Sequence, residues 1–360
     1  VARSTVLTGS AVTTDSTIAA GSPTTAATLA ARRPRYVAVG AGRMGRGIAI
    51  AFAYAGHRVA VVDLRPRSPE DWQVLQDEAL AEIQASLVGL ARLGAIGSDQ
   101  VDPIAARVDL VAADAAPAAL AAAELVFEAV AETLAAKRDA FEAINHQCSG
   151  EAIVTSTTSS IVVTELAPLV RRPERFLNMH WLNPAYLIPV VELSTHPQTA
   201  VDVLARTRAI IEGIGKVPVV CGPAPGYIVP RLQALIMNEA ARMVEEGVAT
   251  AEEIDKATRH GLGLRFAAIG VVEFIDFGGA DILHHASREM AASIDPVRYA
   301  APPIIGRMMT EGRLGLKSGS GFYDHGDRDR VEYRRDVLQR ILDQVREAGL
   351  WRPAARQTVP

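Results

Sequence analysis

Two side chains stand out for what they could do chemically. His180 sits in His180-Trp-Leu-Asn183-Pro184, and Glu192 is a single carboxylate in the apolar run Pro189-Val-Val-Glu-Leu193. An imidazole exchanges a proton near neutrality. A carboxylate on its second nitrogen orients the ring and stabilises its charged form. An isolated acid in an apolar strand is costly unless it has a partner. The twelve residues from His180 to Glu192 include a proline-containing bend that would let two strands lie side by side. The chemistry expected of this pair is general acid–base proton transfer.

Upstream lies Gly40-Ala41-Gly42-Arg43-Met44-Gly45, between the apolar run Tyr36-Val-Ala-Val39 and a helical pattern from Gly42 to Ala55. In a strand–turn–helix of this kind the first glycine permits the tight turn. The second lets the backbone approach a pyrophosphate, and the third lets helix pack on strand. The N–H groups and dipole at the helix start then hold the phosphates. Asp63 follows Gly45 by eighteen residues, at the tip of the next strand. There a carboxylate accepts hydrogen bonds from ribose hydroxyls, which favours NAD over its 2′-phosphorylated relative; Arg65, two residues on, is a group that could court such a phosphate. A proton-transfer couple downstream of a dinucleotide loop points to a dehydrogenase acting on an alcohol, the base removing the hydroxyl proton as hydride leaves.

These groups need a sheet to hold them. Short strand-like runs are expected at Tyr36–Val39, Arg58–Asp63, Val108–Val111, Leu125–Glu128, Ile153–Thr155, Phe176–His180, Val190–Leu193 and Val217–Val220. Helical stretches intervene, notably Leu134–Asn145, and Asp71–Leu93 reads as an inserted helical segment. Alternation of this kind predicts an α/β, doubly wound, Rossmann-like domain over 35–222. After Gly222-Pro-Ala-Pro-Gly226 the pattern becomes helical: Ile228–Glu246, then stretches near 251–260, 268–276, 279–293 and 303–311. An all-α domain over 223–325 is expected, followed by a charged amphipathic helix and tail over 326–360. Residues 1–34 are rich in Ser, Thr and Ala, with no hydrophobic periodicity, and read as a disordered tail or an over-extended start.

Composition excludes several classes. Of 360 residues, 49% are hydrophobic and 22% charged, as in an ordinary globular protein. A net charge of −4 and the lack of an arginine run with interleaved aromatics argue against nucleic acid. No stretch is long and apolar enough for a membrane span, and the eight histidines show no zinc-type spacing, so no metal is expected. Two cysteines, Cys148 and Cys221, make a poor disulfide framework and suit a reducing, cytoplasmic setting. Arginine far outnumbers lysine, which occurs only at Lys137, Lys216, Lys256 and Lys317.

With these residues in view, the chain resembles the L-3-hydroxyacyl-CoA dehydrogenase family over about residues 35 to 325. The resemblance rests on Ser159-Ser160, on His180-Trp-Leu-Asn183-Pro184 and on Glu192. It implies His180 as general base, Glu192 as its orienter and Ser159 as a donor to the substrate oxygen. It also implies Asn183 on the nicotinamide side, with Glu132, Lys137 and Lys317 as further cofactor contacts. Ser86 matches a family CoA position, but Leu93 stands near where a lysine would meet phosphate. Where family members carry an Asn before Arg at the start of the long helix, this chain has Pro230 before Arg231.

The run Gly261-Leu-Gly-Leu-Arg265-Phe-Ala-Ala-Ile-Gly270 is similar instead to the lambda-crystallin/L-gulonate dehydrogenase branch, whose substrates are free hydroxy acids. Arg265 would then pair with a substrate carboxylate. The first expectation is NAD-dependent oxidation of a 3-hydroxyacyl-CoA such as 3-hydroxybutyryl-CoA to the 3-keto compound, or the reverse. The alternatives are a dehydrogenase of a free hydroxy acid and a non-catalytic, crystallin-like protein. A homodimer is expected from the resemblance and from the mostly apolar run Ile269–Phe277, which would be costly on a surface.

Overall fold

The computed structural model describes residues 34–352. The expected tail lies outside them apart from Pro34, as do the last eight residues. The chain divides after Ala234 into two compact units. The first runs β1 (Tyr36–Val39), α1 (Arg43–Tyr54), β2 (Val59–Val62), α2 (Pro69–Arg92), α3 (Val101–Ala105), β3 (Val108–Val111), α4 (Ala116–Ala121), β4 (Leu125–Glu128), α5 (Leu134–Gln147), β5 (Ile153–Ser156), α6 (Val163–Leu166), β6 (Phe176–Trp181), β7 (Val190–Ser194), α7 (Val201–Gly213) and β8 (Val217–Cys221).

All eight strands form one sheet in the order β3-β2-β1-β4-β5-β6-β7-β8. The first six are parallel; β7 runs antiparallel to β6, and β8 is parallel to β7. Reversal of the order at β1 makes this the doubly wound fold expected from the alternating pattern. Strands buried on both faces explain the continuous apolar runs. In β1, Tyr36 and Ala38 face a core with Ile48, Phe52, Ile83 and Leu87, while Val37 and Val39 face a second core with Leu120, Phe141 and Ile144. This is the period of two that a strand imposes.

The inserted helix α2 has its own start signals. The Ser68 side chain accepts from the Asp71 N–H at 3.1 Å, Pro69 opens the first turn, and Glu70 and Asp71 suit the dipole. Ala79, Ile83 and Leu87, each about one turn apart, are its fully buried stripe.

Helix α8 (Val229–Glu245) contains the division between the units. The second unit continues with α9 (Ala251–Ala257), a wide π-type turn (Thr258–Gly263), α10 (Leu264–Ala268), α11 (Val271–Gly278), α12 (Ala280–Ser293), α13 (Pro303–Thr310) and α14 (Arg330–Glu347). The expected stretch 251–260 therefore does not end as an ordinary helix. It widens across Gly261 and Gly263, residues of poor helix propensity, before α10 resumes.

A buried acid organises this unit. The Asp276 carboxylate accepts from the backbone N–H groups of Phe322 and Tyr323 at 3.0 and 2.8 Å and meets His325 Nε2 at 3.0 Å. The apolar run Ile269–Phe277 is partly covered within the chain. Phe277 packs on Tyr333 and Arg334 of α14, and Ile269 is buried, whereas Val271 and Val272 stay exposed. The run as a whole is thus weaker support for a dimer than its composition implied.

Phe127 of β4 is fully buried between Phe52 and Trp181. Phe127→Ala is expected to lower the unfolding free energy by about 3–5 kcal/mol, read from the midpoint of chemical denaturation.

Candidate active site

The antiparallel pairing of β6 with β7 sets His180 directly opposite Glu192. His180 Nδ1 lies 2.8 Å from Glu192 Oε2, with the ring buried and the carboxylate wholly so. The other oxygen, Oε1, accepts from the backbone N–H groups of Ile228 and Val229 at 2.9 and 2.8 Å. Glu192 therefore also caps the first turn of α8, where the dipole favours negative charge. Pro230 falls inside that turn, at a position whose N–H has no intrahelical partner to lose. Because a carboxylate only accepts, Nδ1 carries a proton toward it, and in the neutral imidazole Nε2 is left with the lone pair. Nε2 makes no hydrogen bond among the described residues.

Tyr227, just before these N–H groups, was not anticipated from the sequence. Its ring stacks on the His180 imidazole with centroids 4.6 Å apart and planes 9° apart.

A second network holds the turn after β5. Glu132 Oε1 accepts from the Thr158 hydroxyl at 2.5 Å, from the N–H groups of Ser159 and Ser160 at 2.9 and 3.0 Å, and from the Ser160 hydroxyl at 2.8 Å. Burial alone would raise the Glu132 carboxyl, but the Thr158 hydroxyl, the Lys137 ammonium and the Ser160 hydroxyl outweigh it and bring it down from 4.5 to about 2. Ser159 is exposed, and its hydroxyl makes no hydrogen bond among the described residues.

Lys137 is fully buried and spends its ammonium within the protein. It lies 3.0 Å from both oxygens of Glu128 and 3.1 Å from Glu132. Glu128, equally buried, also accepts from the Val130 N–H and the Ser156 hydroxyl. Sequence reasoning placed Glu128 at the end of an expected strand but gave it no role. The signal available was the one that singled out Glu192: a lone acid ending an apolar strand.

At the end of β1 the glycine loop is built for close approach. A Cβ on Gly40 (φ +117°) would lie 2.5 Å from the Ala129 carbonyl oxygen, and one on Gly45 only 2.0 Å from the Gly40 carbonyl oxygen. Gly42 faces open space and offers no capping side chain, which leaves the first-turn N–H groups of Arg43, Met44 and Gly45 for an incoming anion. Ala41 is buried beneath the loop. Asp63 directly follows β2, where it accepts from the Arg65 N–H at 3.3 Å and pairs with Arg67, so its cationic neighbour is Arg67 rather than the Arg65 side chain. These features fit a dinucleotide pyrophosphate with its ribose at Asp63.

The remaining predicted residues are more scattered. Asn183 is exposed in the turn after β6, where the Asn183–Pro184 peptide is cis, and Ser86 is half-buried on α2. In the second unit Lys317 pairs with Asp281, and the Arg265 guanidinium lies over the Phe274 ring at 5.0 Å. The first unit thus gathers His180 with Glu192, Ser159 with Glu132 and Lys137, and the glycine loop with Asp63. Among the described residues no cluster of three or more His, Cys, Asp or Glu is placed to hold a metal ion.

Fold and loop define a dinucleotide-binding protein of the doubly wound class. Residues 36–224 match the family described as 3-hydroxyacyl-CoA dehydrogenase, NAD binding domain, and 226–325 match its C-terminal domain. The chain belongs to the 3-hydroxyacyl-CoA dehydrogenase family, and its cofactor is NAD.

Among curated relatives, it is 33% identical over 206 residues to 5-formyl-3-hydroxy-2-methylpyridine 4-carboxylate 5-dehydrogenase of Mesorhizobium japonicum, an alignment covering 57% of this chain and 66% of that one. It is 33% identical over 210 residues to a probable 3-hydroxybutyryl-CoA dehydrogenase of Bacillus subtilis, covering 57% and 71%. The chain thus spans just under two thirds of the first relative's length and somewhat more of the second's. A crystal structure of a 3-hydroxyacyl-CoA dehydrogenase from Archaeoglobus fulgidus superposes with TM-score 0.67 at 27% identity, covering 88% of this chain and 100% of that one.

The lowered Glu132 carboxyl carries a sign. Its contribution to stability is complete above about 4.5 and is lost as pH falls toward about 2. Wild type should therefore exceed Glu132→Gln in stability at neutral pH, with the gap closing across that window in acid unfolding followed by circular dichroism.

Proposed function

We propose that this chain oxidises the 3-hydroxyl of a 3-hydroxyacyl-CoA to the 3-keto compound, or catalyses the reverse, as an NAD-dependent oxidoreductase acting on a CH–OH group. The observation that carries the reading is the His180 ring itself: Nδ1 is committed to Glu192, so Nε2 is the basic atom left for a substrate hydroxyl. His180 takes the hydroxyl proton through Nε2. Glu192 stabilises the imidazolium that forms, held in place by two backbone N–H groups. Ser159, on a turn fixed by Glu132, donates to the substrate oxygen. When bound, NAD supplies the hydride acceptor. The pyrophosphate would rest on Gly40–Gly45 and the ribose on Asp63, with Asn183 and Lys317 as further cofactor contacts. Glu132 and Lys137 would serve chiefly by shaping the Ser159 turn.

The relatives' names support a CoA thioester, for which Ser86 on α2 is the proposed contact. A free hydroxy acid is the second reading. The Mesorhizobium relative is named for a pyridine carboxylate rather than a CoA ester, and Arg265 is an exposed guanidinium able to meet a carboxylate. The ordered His180–Glu192 pair weighs against a non-catalytic role.

In the same proposal the chain acts as a homodimer in the cytoplasm. The dimer is supported by exposed apolar side chains along α8 (Leu235, Ile236, Met237 and Val244). The location is supported by the free thiols Cys148 and Cys221. No helix among the described residues is long and apolar enough to cross a membrane.

His180→Ala should lower kcat by about 10² to 10⁴ while leaving NAD affinity unchanged. Retained turnover would remove the base assignment. NADH formation with 3-hydroxybutyryl-CoA beside free 3-hydroxybutyrate and L-gulonate decides the substrate class: CoA-dependent activity alone supports the first reading, and activity on a free acid alone the second. Light scattering should return twice the chain mass; a monomer at working concentration would refute the dimer.

A further inference from the structure

The hydrogen bond from Nδ1 to Glu192 fixes one edge of the imidazole but not its tilt. A ring held only there pivots about that bond, and Nε2 sweeps through an arc. Tyr227 lies flat against the ring, 9° from parallel, and takes that freedom away. Its hydroxyl, on the far end of the same side chain, donates to the Thr158 carbonyl at 2.8 Å and accepts from Asn178 Nδ2 at 3.1 Å. Thr158 immediately precedes Ser159. Asn178 lies on β6 two residues before His180 and also donates to the Ile161 carbonyl at 3.0 Å. One side chain therefore touches the imidazole, the strand that carries it and the turn that carries the serine.

Its backbone is unusual as well. Tyr227 is the one non-glycine residue at positive φ among the described residues, at +46°. Such a conformation costs free energy that its surroundings must offset, and here the offset is a buried, fully hydrogen-bonded phenol. Burial raises the phenol's pKa well above its usual value, so it stays protonated as a donor and does not compete with His180 as a base.

We propose that Tyr227 is a positioning residue for proton transfer, its ring setting the plane of His180 and its hydroxyl fixing the spacing between that base and the Ser159 turn. The proposal rests on the reading of His180 as the base and deepens it. Misplacement of a reacting atom by about 1 Å costs about a hundredfold in rate, which sets the scale of the expected effect.

The test compares wild type, Tyr227→Phe, Tyr227→Leu and His180→Ala in the full chain, with whichever substrate of the panel above wild type oxidises, in protio and 3-deuterio forms. NAD binding is followed by fluorescence quenching and folding by thermal melting. Tyr227→Leu should lose about ten- to a hundredfold in kcat with NAD affinity within about twofold, and its primary isotope effect should be at least as large as that of wild type. Tyr227→Phe, which keeps the ring but loses both hydroxyl bonds, should recover part of that loss and remain below wild type.

A Tyr227→Leu protein that turns over like wild type would overturn the proposal. So would one that loses activity only in proportion to lost folded protein or NAD binding, or a Tyr227→Phe protein no better than Tyr227→Leu. Failure of the underlying reading looks different: His180→Ala stays active, or wild type oxidises nothing on the panel, and either result removes this inference with it.

Discussion

A single buried carboxylate bears most of the weight of the site. Glu192 is wholly removed from water, and an acid there is tolerable only if its oxygens are satisfied. One oxygen holds the imidazole; the other holds two backbone N–H groups at the head of α8. The pairing of β6 with β7 places this carboxylate, and the start of the long helix and the orientation of the base both depend on it. Without that carboxylate the ring loses its tautomer, and the helix loses the acceptor for its first turn.

The Glu128–Lys137–Glu132 cluster repeats the logic at the neighbouring turn. A buried ammonium between two carboxylates locks Glu132 from below, and Glu132 gathers four donors from Thr158, Ser159 and Ser160 from above. Both arrangements spend buried charge on orientation. In each, the charge is neutralised or hydrogen-bonded on every side the structure describes, which distinguishes a positioning device from a defect.

Much of this was legible in the chain. All eight strands lie where short apolar runs bounded by turns placed them, because a sheet covered on both faces demands such runs. The His180–Glu192 pair was recoverable because an acid has no business in an apolar strand without a partner. Glu128 carried the same signal at the end of an expected strand and was passed over, because its partner Lys137 lies on the following helix and no spacing in the chain marks the pair. Tyr227 carried no signal. Nothing in Gly-Tyr-Ile-Val announces a left-handed tyrosine or a ring folded back onto a strand some fifty residues earlier. The widened turn at Thr258–Gly263 was likewise hidden, because helical periodicity does not distinguish one turn width from another. That α14, far along the chain, covers part of Ile269–Phe277 was equally hidden, because an apolar run does not say which surface buries it.

The donors that hold the second oxygen of Glu192 are main-chain groups. Residues 228 and 229 can therefore change their side chains widely without disturbing the anchor, provided neither becomes proline. Drift at these positions is nearly silent for the chemistry, whereas inserting or deleting one residue between Gly226 and Pro230 would rotate both amides away and disarm the base without altering any side chain in the acid–base pair. Engineering that treats this stretch as a variable linker would be misled by its sequence and corrected only by its geometry.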